Sequence, residues 1–183
     1  MSSAERNPWR RESRRIAYEN PWIEIRHDEV IRPDGKPGIY GVVHFRHYAT
    51  GVVPLDAATD RVLLVGQWRY TMDRYSWEIP EGGGDFDEDP EAAARRELAE
   101  ETGYTGGTWR LLCEAELSNS VSDEHAYAYV ATDLVAGTAS PEPTEDLRTR
   151  WVPFDEALAM IERGEIRDAL TIMPLLMLAR ERA

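Results

Sequence analysis

Apolar and polar residues alternate with a period of two through much of the first third of the chain. Within residues 15–31, Ile23 and Ile25 alternate with Glu24 and Arg26, the pattern of a half-buried strand. Pro33-Asp34-Gly35-Lys36 is a turn signal, and residues 39–45 and 51–55 read as further strands. Val62-Leu63-Leu64-Val65 breaks the alternation. Four apolar residues in a row, within residues 61–69, predict a strand covered on both faces. The period then lengthens. Ala92, Ala93, Ala94, Leu98 and Ala99 favour a helix, with Asp89 suited to its N-cap and Pro90 to its first turn. Gly103 is suited to the position just past its last turn. Strands follow near residues 108–116, 124–132 and 147–152, and helices near 156–163 and 168–182. The first dozen residues, leading into Arg14 and Arg15, read as a polar arm, and residues 137–145 as a polar, proline-containing loop. This order predicts a mixed sheet flanked by helices, α/β or α+β in class.

The helix following Pro90 is overloaded with charge of one sign. At about 100° per residue, Glu97, Glu100 and Glu101 fall within roughly a third of its circumference. Like charges one turn apart repel by a few tenths of a kcal/mol. They also lie near the helix C-terminus, where the dipole disfavours anions. A Glu-rich helix face is commonly plain solvated surface. A hard divalent cation such as Mg²⁺, which takes oxygen ligands, would instead turn the repulsion into a use.

Composition narrows the classes. The 183 residues suffice for a domain with a sizeable core, and 42% are hydrophobic, which excludes disorder. No apolar run is long enough to span a membrane, and residues 1–20 show no signal-peptide pattern, so a cytoplasmic protein is expected. The single Cys113 forbids an internal disulfide, and its setting, Leu111-Leu112-Cys113, predicts a core residue. A net charge of −13 argues against nucleic acid or an anionic membrane as partner. His44 and His47, three apart in a predicted strand, would face opposite ways. His27 and His125 have no ligand pattern near them, so a zinc site is not expected.

Spacing adds what composition cannot. Gly82, five residues, Glu88, seven residues, then Arg96-Glu97-Leu98-x-Glu100-Glu101-x-Gly103-Tyr104 resembles the Nudix box at every fixed position, with Tyr104 where an aliphatic residue is usual. Gly66-Gln67-Trp68-Arg69-Tyr70 resembles the Gln-aromatic-Arg segment of ADP-sugar pyrophosphatases. Trp77-Glu78-Ile79-Pro80-Glu81-Gly82 resembles their Glu-x-Pro-Ala-Gly lead-in, with Glu81 in place of Ala. The resemblance implies a Nudix-type α/β/α sandwich with a mixed sheet over residues 46–183. Residues 1–45 would be an N-terminal arm and antiparallel strand extension of the kind found in nucleoside diphosphate sugar hydrolases, serving dimerisation.

The same resemblance implies a metal-dependent hydrolase, using Mg²⁺ or Mn²⁺, that cleaves the pyrophosphate of a nucleoside diphosphate sugar such as ADP-ribose or GDP-mannose. It would yield a nucleoside monophosphate and a sugar phosphate. Glu97 and Glu101 would be the main metal ligands, with Glu100 as further ligand or base and the carbonyl of Glu81 as another ligand. Arg69 and Glu78 would contact substrate, while Gly82, Glu88, Arg96 and Gly103 would be structural. The general base stays open. Pro143-Thr144-Glu145-Asp146-Leu147 resembles a Glu-x-Glu-Asp-Ile pattern, with Pro143 in place of the first glutamate, which leaves Glu142, Glu145, Glu124 or Glu100. The proline usual about 16 residues past the box in ADP-ribose pyrophosphatases is missing, since none lies between Pro90 and Pro141. Two alternatives therefore remain, a nucleoside triphosphate pyrophosphohydrolase and a non-catalytic nucleotide-sensing module. A homodimer built partly by residues 1–45 is expected, because Trp22, Ile23, Ile25, Val30 and Ile31 are apolar beyond what a Nudix core needs.

Overall fold

The structure, a computed structural model, describes residues 6–141 and 146–182. The chain divides into two compact units, Met1–His47 with Glu116–Glu124, and Tyr48–Ala115 with His125–Ala183.

The first unit is an antiparallel meander of β1 (Arg10–Glu19), β2 (Ile23–Ile31) and β3 (Pro37–Phe45). β1 covers part of what reads from sequence as a polar arm. Every one of its side chains is exposed, so no burial pattern announces it. Pairing creates the strand instead. Its register with β2 runs from Arg10 opposite Ile31 to Glu19 opposite Glu24 and slips at Arg11/Ser13 and Ile16/Tyr18. The single strand expected over residues 15–31 is therefore two, parted at Asn20, whose side chain accepts the backbone N–H groups of Trp22 and Ile23, both at 2.9 Å. Arg14 grips the buried Asp28 with two bonds of 2.6 and 2.7 Å. His44 closes on Asp123 at 2.7 Å, within the same unit. His47 lies in the bend after β3, not in the strand.

The second unit is a seven-stranded mixed sheet between helices. It comprises β4 (Tyr48–Asp56), β5 (Arg61–Arg69), β6 (Arg74–Glu78), β7 (Glu81–Gly84), β8 (Thr105–Leu117), β9 (Glu124–Val135) and β10 (Arg148–Pro153). The spatial order is β10-β5-β4-β9-β8, with β6 beside β5 and β7 beside β4. β4 and β9 run parallel. α1 (Pro90–Thr102) covers one face. α2 (Phe154–Glu162) and α3 (Ala169–Arg182) supply the other. Adjacent residues of β4 show the layering. Val52 packs with Ala94 and Leu98 of α1, whereas Val53 packs with Phe154, Met160 and Leu175. The run Val62–Val65 is at most 2% exposed, as expected of a doubly covered strand. Cys113 is half-buried rather than a core residue, because β8 is the last strand of the sheet. No helix among the described residues is long and apolar enough to cross a membrane.

Beyond β1, two more strands are not legible from sequence. β6 is short, and β7 is a run of glycines that reads as loop. Yet β7 pairs antiparallel with β4, Tyr48 opposite Gly84 and Gly51 opposite Glu81. A Cβ at Gly84 would overlap the Tyr48 ring, so glycine is what lets the two strands approach.

The Arg14 bond holds the Asp28 carboxyl below its ordinary range, outweighing the opposing effect of burial. A carboxylate with a depressed folded pKa stabilises the fold above its unfolded pKa, near 3.8, and that stabilisation is lost as pH falls through the folded value. Asp28→Asn is therefore expected to cost about 1–3 kcal/mol at pH 7. Urea unfolding at successive pH values should show the gap between wild type and variant narrowing as pH drops below 4. A gap that is constant across that range would exclude the ion pair as its source.

Candidate active site

The box helix α1 is set by local chemistry. Asp89 accepts the Ala92 N–H at 3.0 Å, Pro90 occupies the first turn, and Gly103, at φ +78°, ends the helix with its N–H on the Ala99 carbonyl at 2.9 Å. The helix buries Ala93, Ala94, Leu98 and, unusually, Glu101, which is 3% exposed. A carboxylate in that position must be satisfied by neighbours. The Glu81 N–H donates to its Oε2 at 3.2 Å. Four residues earlier, the Glu97 carboxylate rests against Gly82 so closely that a Cβ there would overlap it. β7 thus serves as a floor, without side chains at Gly82 and Gly83, for two carboxylates of α1.

Arg96 ties this assembly together. It bonds Glu88 at 3.1 Å, Glu97 at 2.7 Å, Glu100 at 3.3 Å and the Gly83 carbonyl at 2.9 Å. Its bond to Glu88 is the chief reason its pKa is raised above the ordinary arginine value. One guanidinium therefore spans the loop, the glycine strand and three carboxylates.

A second arginine stands at the other side of Glu81. Burial disfavours the charge of Arg69, but the hydrogen bonds to Glu78 and the charges of Glu81 and Glu78 outweigh it and raise its pKa. Its Nε lies 3.1 and 2.9 Å from the two oxygens of Glu78, and its Nη2 bonds both Glu78 and, at 2.6 Å, Glu81 Oε1. Glu78 is 3% exposed. Glu81 Oε2 is buried without a hydrogen-bond partner among the described residues. Burial, then the nearby charges of Asp168 and Glu78, push the Glu81 carboxyl well above the usual carboxylate range, against the pull of Arg69.

Asp168 and Thr171 belong to this setting and carry no motif that singles them out. Asp168 accepts the Thr171 N–H at 2.6 Å at the start of α3. The fully buried Thr171 hydroxyl accepts the Ile79 N–H at 3.0 Å, fixing the chain between Glu78 and Glu81. The available signal, an aspartate at a helix start, points only to a cap.

The structure thus brings Gly82, Glu88, Arg96, Glu97, Glu100 and Glu101 together around β7, and Arg69, Glu78 and Glu81 beside them. Glu81 joins the two groups, through its backbone to Glu101 and its side chain to Arg69. Glu142 and Glu145 lie outside the described residues. Glu124 begins β9 and falls in the other compact unit. Carboxylates, a backbone carbonyl and an unpartnered buried oxygen are the donor chemistry a hard divalent cation takes, so the residues fit such an ion. Among the described residues no three of the ligand-type side chains converge on one point, and several of these carboxylates bond the two arginines.

Comparison with known proteins gives the family. Residues 45–173 match the NUDIX domain, and residues 9–43 match the nucleoside diphosphate sugar hydrolase N-terminal domain. An ADP-ribose pyrophosphatase of Mycobacterium tuberculosis is 33% identical over 156 residues, covering 83% of this chain and 74% of that protein. A CMP-5'-(N-acetyl-N-hydroxy-3-aminopropyl)phosphonate hydrolase of Streptomyces rubellomurinus is 31% identical, covering 92% of this chain and 81% of that protein. Among solved structures, one described as an ADP compounds hydrolase superposes with a TM-score of 0.84 at 18% identity, over 94% of this chain and 92% of that one, and shares the fold. With its domain match over residues 45–173, its complete box and the carboxylates of α1 seated on β7, the chain belongs to the Nudix family, whose hydrolases generally use divalent metals.

Proposed function

We propose that this protein hydrolyses the pyrophosphate bond of a nucleoside diphosphate sugar, with Mg²⁺ or Mn²⁺, to a nucleoside monophosphate and a sugar phosphate. One observation carries the reading. The carboxylate face of α1 lies on β7, whose first residue, Glu81, bonds Arg69, so cation chemistry and anion chemistry meet at one strand. The N-terminal match and the names of the relatives, which include ADP-ribose and ADP-sugar pyrophosphatases, support the sugar-linked class over nucleoside triphosphates.

Hydrolysis adds the oxygen of water to one phosphorus and breaks the P–O bond to the bridging oxygen. The water loses a proton and the departing phosphate leaves as an anion. A divalent ion, when bound, would neutralise the diphosphate and acidify that water. The chain's own residues divide the remaining work. Glu97, Glu101 and the Glu81 carbonyl would hold the ion. Arg96 keeps Glu88, Glu97 and Glu100 in place, Arg69 takes a phosphate oxygen, and Glu78 orients Arg69. The proton goes to a glutamate, with Glu100, Glu142 and Glu145 as the candidates. In a chain of net charge −13, where Arg69 and Arg96 are each bonded to two or more carboxyls, the ion would supply the local positive charge that a diphosphate needs.

Turnover of a nucleotide panel with Mg²⁺, with products identified, tests the reading. The panel includes ADP-ribose, GDP-mannose, nucleoside triphosphates and a CMP-linked phosphonate, the last because of the Streptomyces relative. Nucleoside diphosphate sugars should rank first and give a nucleoside monophosphate. A ranking led by triphosphates would reject the proposal.

Glu97→Gln and Glu101→Gln should each lower turnover by about 100-fold or more, with the melting temperature within about 5 °C of wild type. Near-normal turnover in either variant would remove that residue from the ligand set.

A cytoplasmic homodimer is part of the same proposal. Of the five apolar residues expected to build it, only Trp22 is exposed, Ile23, Ile25 and Ile31 being half-buried and Val30 buried; Trp9, Ile16, Tyr18 and Ile39 are exposed instead, and with Trp22 they form a surface suited to a second copy of the chain. Light scattering should give a mass near twice the 20.9 kDa of one chain. Deletion of residues 1–45 should return it to the monomer value for the shortened chain, and a dimer surviving the deletion would place the interface elsewhere.

A further inference from the structure

The grip on Arg69 is lopsided. A guanidinium takes a phosphate bidentately along an edge made of two nitrogens. Nη2 belongs to both usable edges, one shared with Nε and one shared with Nη1. Glu78 fills the Nε/Nη2 edge with both of its oxygens. Glu81 Oε1 takes the other Nη2 hydrogen, at 2.6 Å. With both acids in place, neither edge of Arg69 can receive two oxygens of a diphosphate.

The two acids are held very differently. Glu78 is 3% exposed and makes three contacts to Arg69. The Glu81 side chain holds Arg69 by one bond, through Oε1, and its Oε2, in a carboxyl that lies against Glu78, is buried with no hydrogen-bond partner among the described residues. A buried polar atom without a partner is a standing cost that release of the side chain would relieve. The Glu81 backbone is fixed by pairing with Gly51 and by the bond from its N–H to Glu101. A change can therefore be confined to the side chain, leaving β7 and the carboxylates of α1 undisturbed.

We propose that Glu81 is a placeholder on Arg69, its carboxyl occupying the Nη2 position that a diphosphate oxygen takes, so that anion binding proceeds by exchange of the two. This rests on the proposed hydrolysis of nucleoside diphosphate sugars for the identity of the incoming group. Glu81 acts through Arg69 and is a positioning residue. Its carboxyl makes anions compete for Arg69, so a ligand engages that arginine only when it outbids a resident carboxyl.

The test is calorimetric titration of ADP in the presence of EDTA, where no metal-dependent turnover contributes. Four proteins are compared, namely wild type, Glu81→Ala, Arg69→Ala and the double variant. Glu81→Ala should bind ADP about tenfold more tightly than wild type. In the Arg69→Ala background the same substitution should produce no gain, because there is no guanidinium edge left to free. A merely structural role for Glu81 predicts equal or weaker binding, and a general charge effect predicts a gain that persists without Arg69. Either result overturns the proposal, as does the absence of measurable binding in both wild type and Glu81→Ala. If circular dichroism shows that Glu81→Ala does not fold, Glu81→Gln, which keeps the shape and removes the charge, is judged by the same comparison with a smaller expected gain. Failure of wild type to cleave nucleoside diphosphate sugars with Mg²⁺ rejects the hydrolase reading instead. The two failures are therefore separable.

Discussion

Everything at this site depends on keeping negative charges close together inside a negatively charged protein. Glu78, Glu81, Glu97 and Glu101 are all at least partly withdrawn from water, and two of them are 3% exposed. Left to themselves such groups would repel, protonate or expose themselves. Two arginines and the backbone of β7 oppose that, although the Glu81 carboxyl is still pushed well above the usual carboxylate range by burial. Arg96 spans the loop and the helix, Arg69 neutralises the lead-in, and the Glu81 N–H supports Glu101. Both guanidinium groups keep their charge at any pH at which the protein folds. The surrounding layers can be read as the frame for this arrangement. α1 needs Ala93, Ala94 and Leu98 in the core so that its acidic face is pressed onto β7. β7 needs glycine so that the acidic face fits.

The parts of the fold dictated by local chemistry are legible in sequence. Asp89, Pro90 and Gly103 bracket α1 because capping and glycine conformation are decided within a few residues. Val62–Val65 is readable because a strand covered on both faces has no polar alternative. What escapes is decided by contact at a distance. β1 has no buried face, and its strand character comes from β2. β7 is invisible because its glycines answer to Tyr48 and Glu97, partners that no local window contains. Cys113 reads as core from its neighbours in sequence, but those neighbours do not reveal that β8 lies at the edge.

The candidate site shows the same division. The spacing from Gly82 to Gly103 is a readable pattern, because one helix and one strand must present several groups at fixed intervals. The consequence of Glu81 is not readable. A glutamate in the lead-in says nothing about which arginine it touches or that one of its oxygens is buried without a partner among the described residues. Asp168 and Thr171 are similar. Their part in fixing Ile79 follows only from the packing of α3 against β4, since their residue types are ordinary for the start of a helix.

That last contact has a consequence for how the protein is made. Ile79 and Thr171 are 92 residues apart, and the bond between them secures the stretch that carries Glu78 and Glu81. A chain emerging from the ribosome can form the box helix and its arginine strap well before α3 exists. It cannot complete the bond that fixes Ile79, between Glu78 and Glu81, until Thr171 has been synthesised. The two sides of the site therefore mature at different moments, and a nascent or clipped chain that lacks α3 would carry its acidic helix without the tie that holds the Glu78–Glu81 stretch beside it.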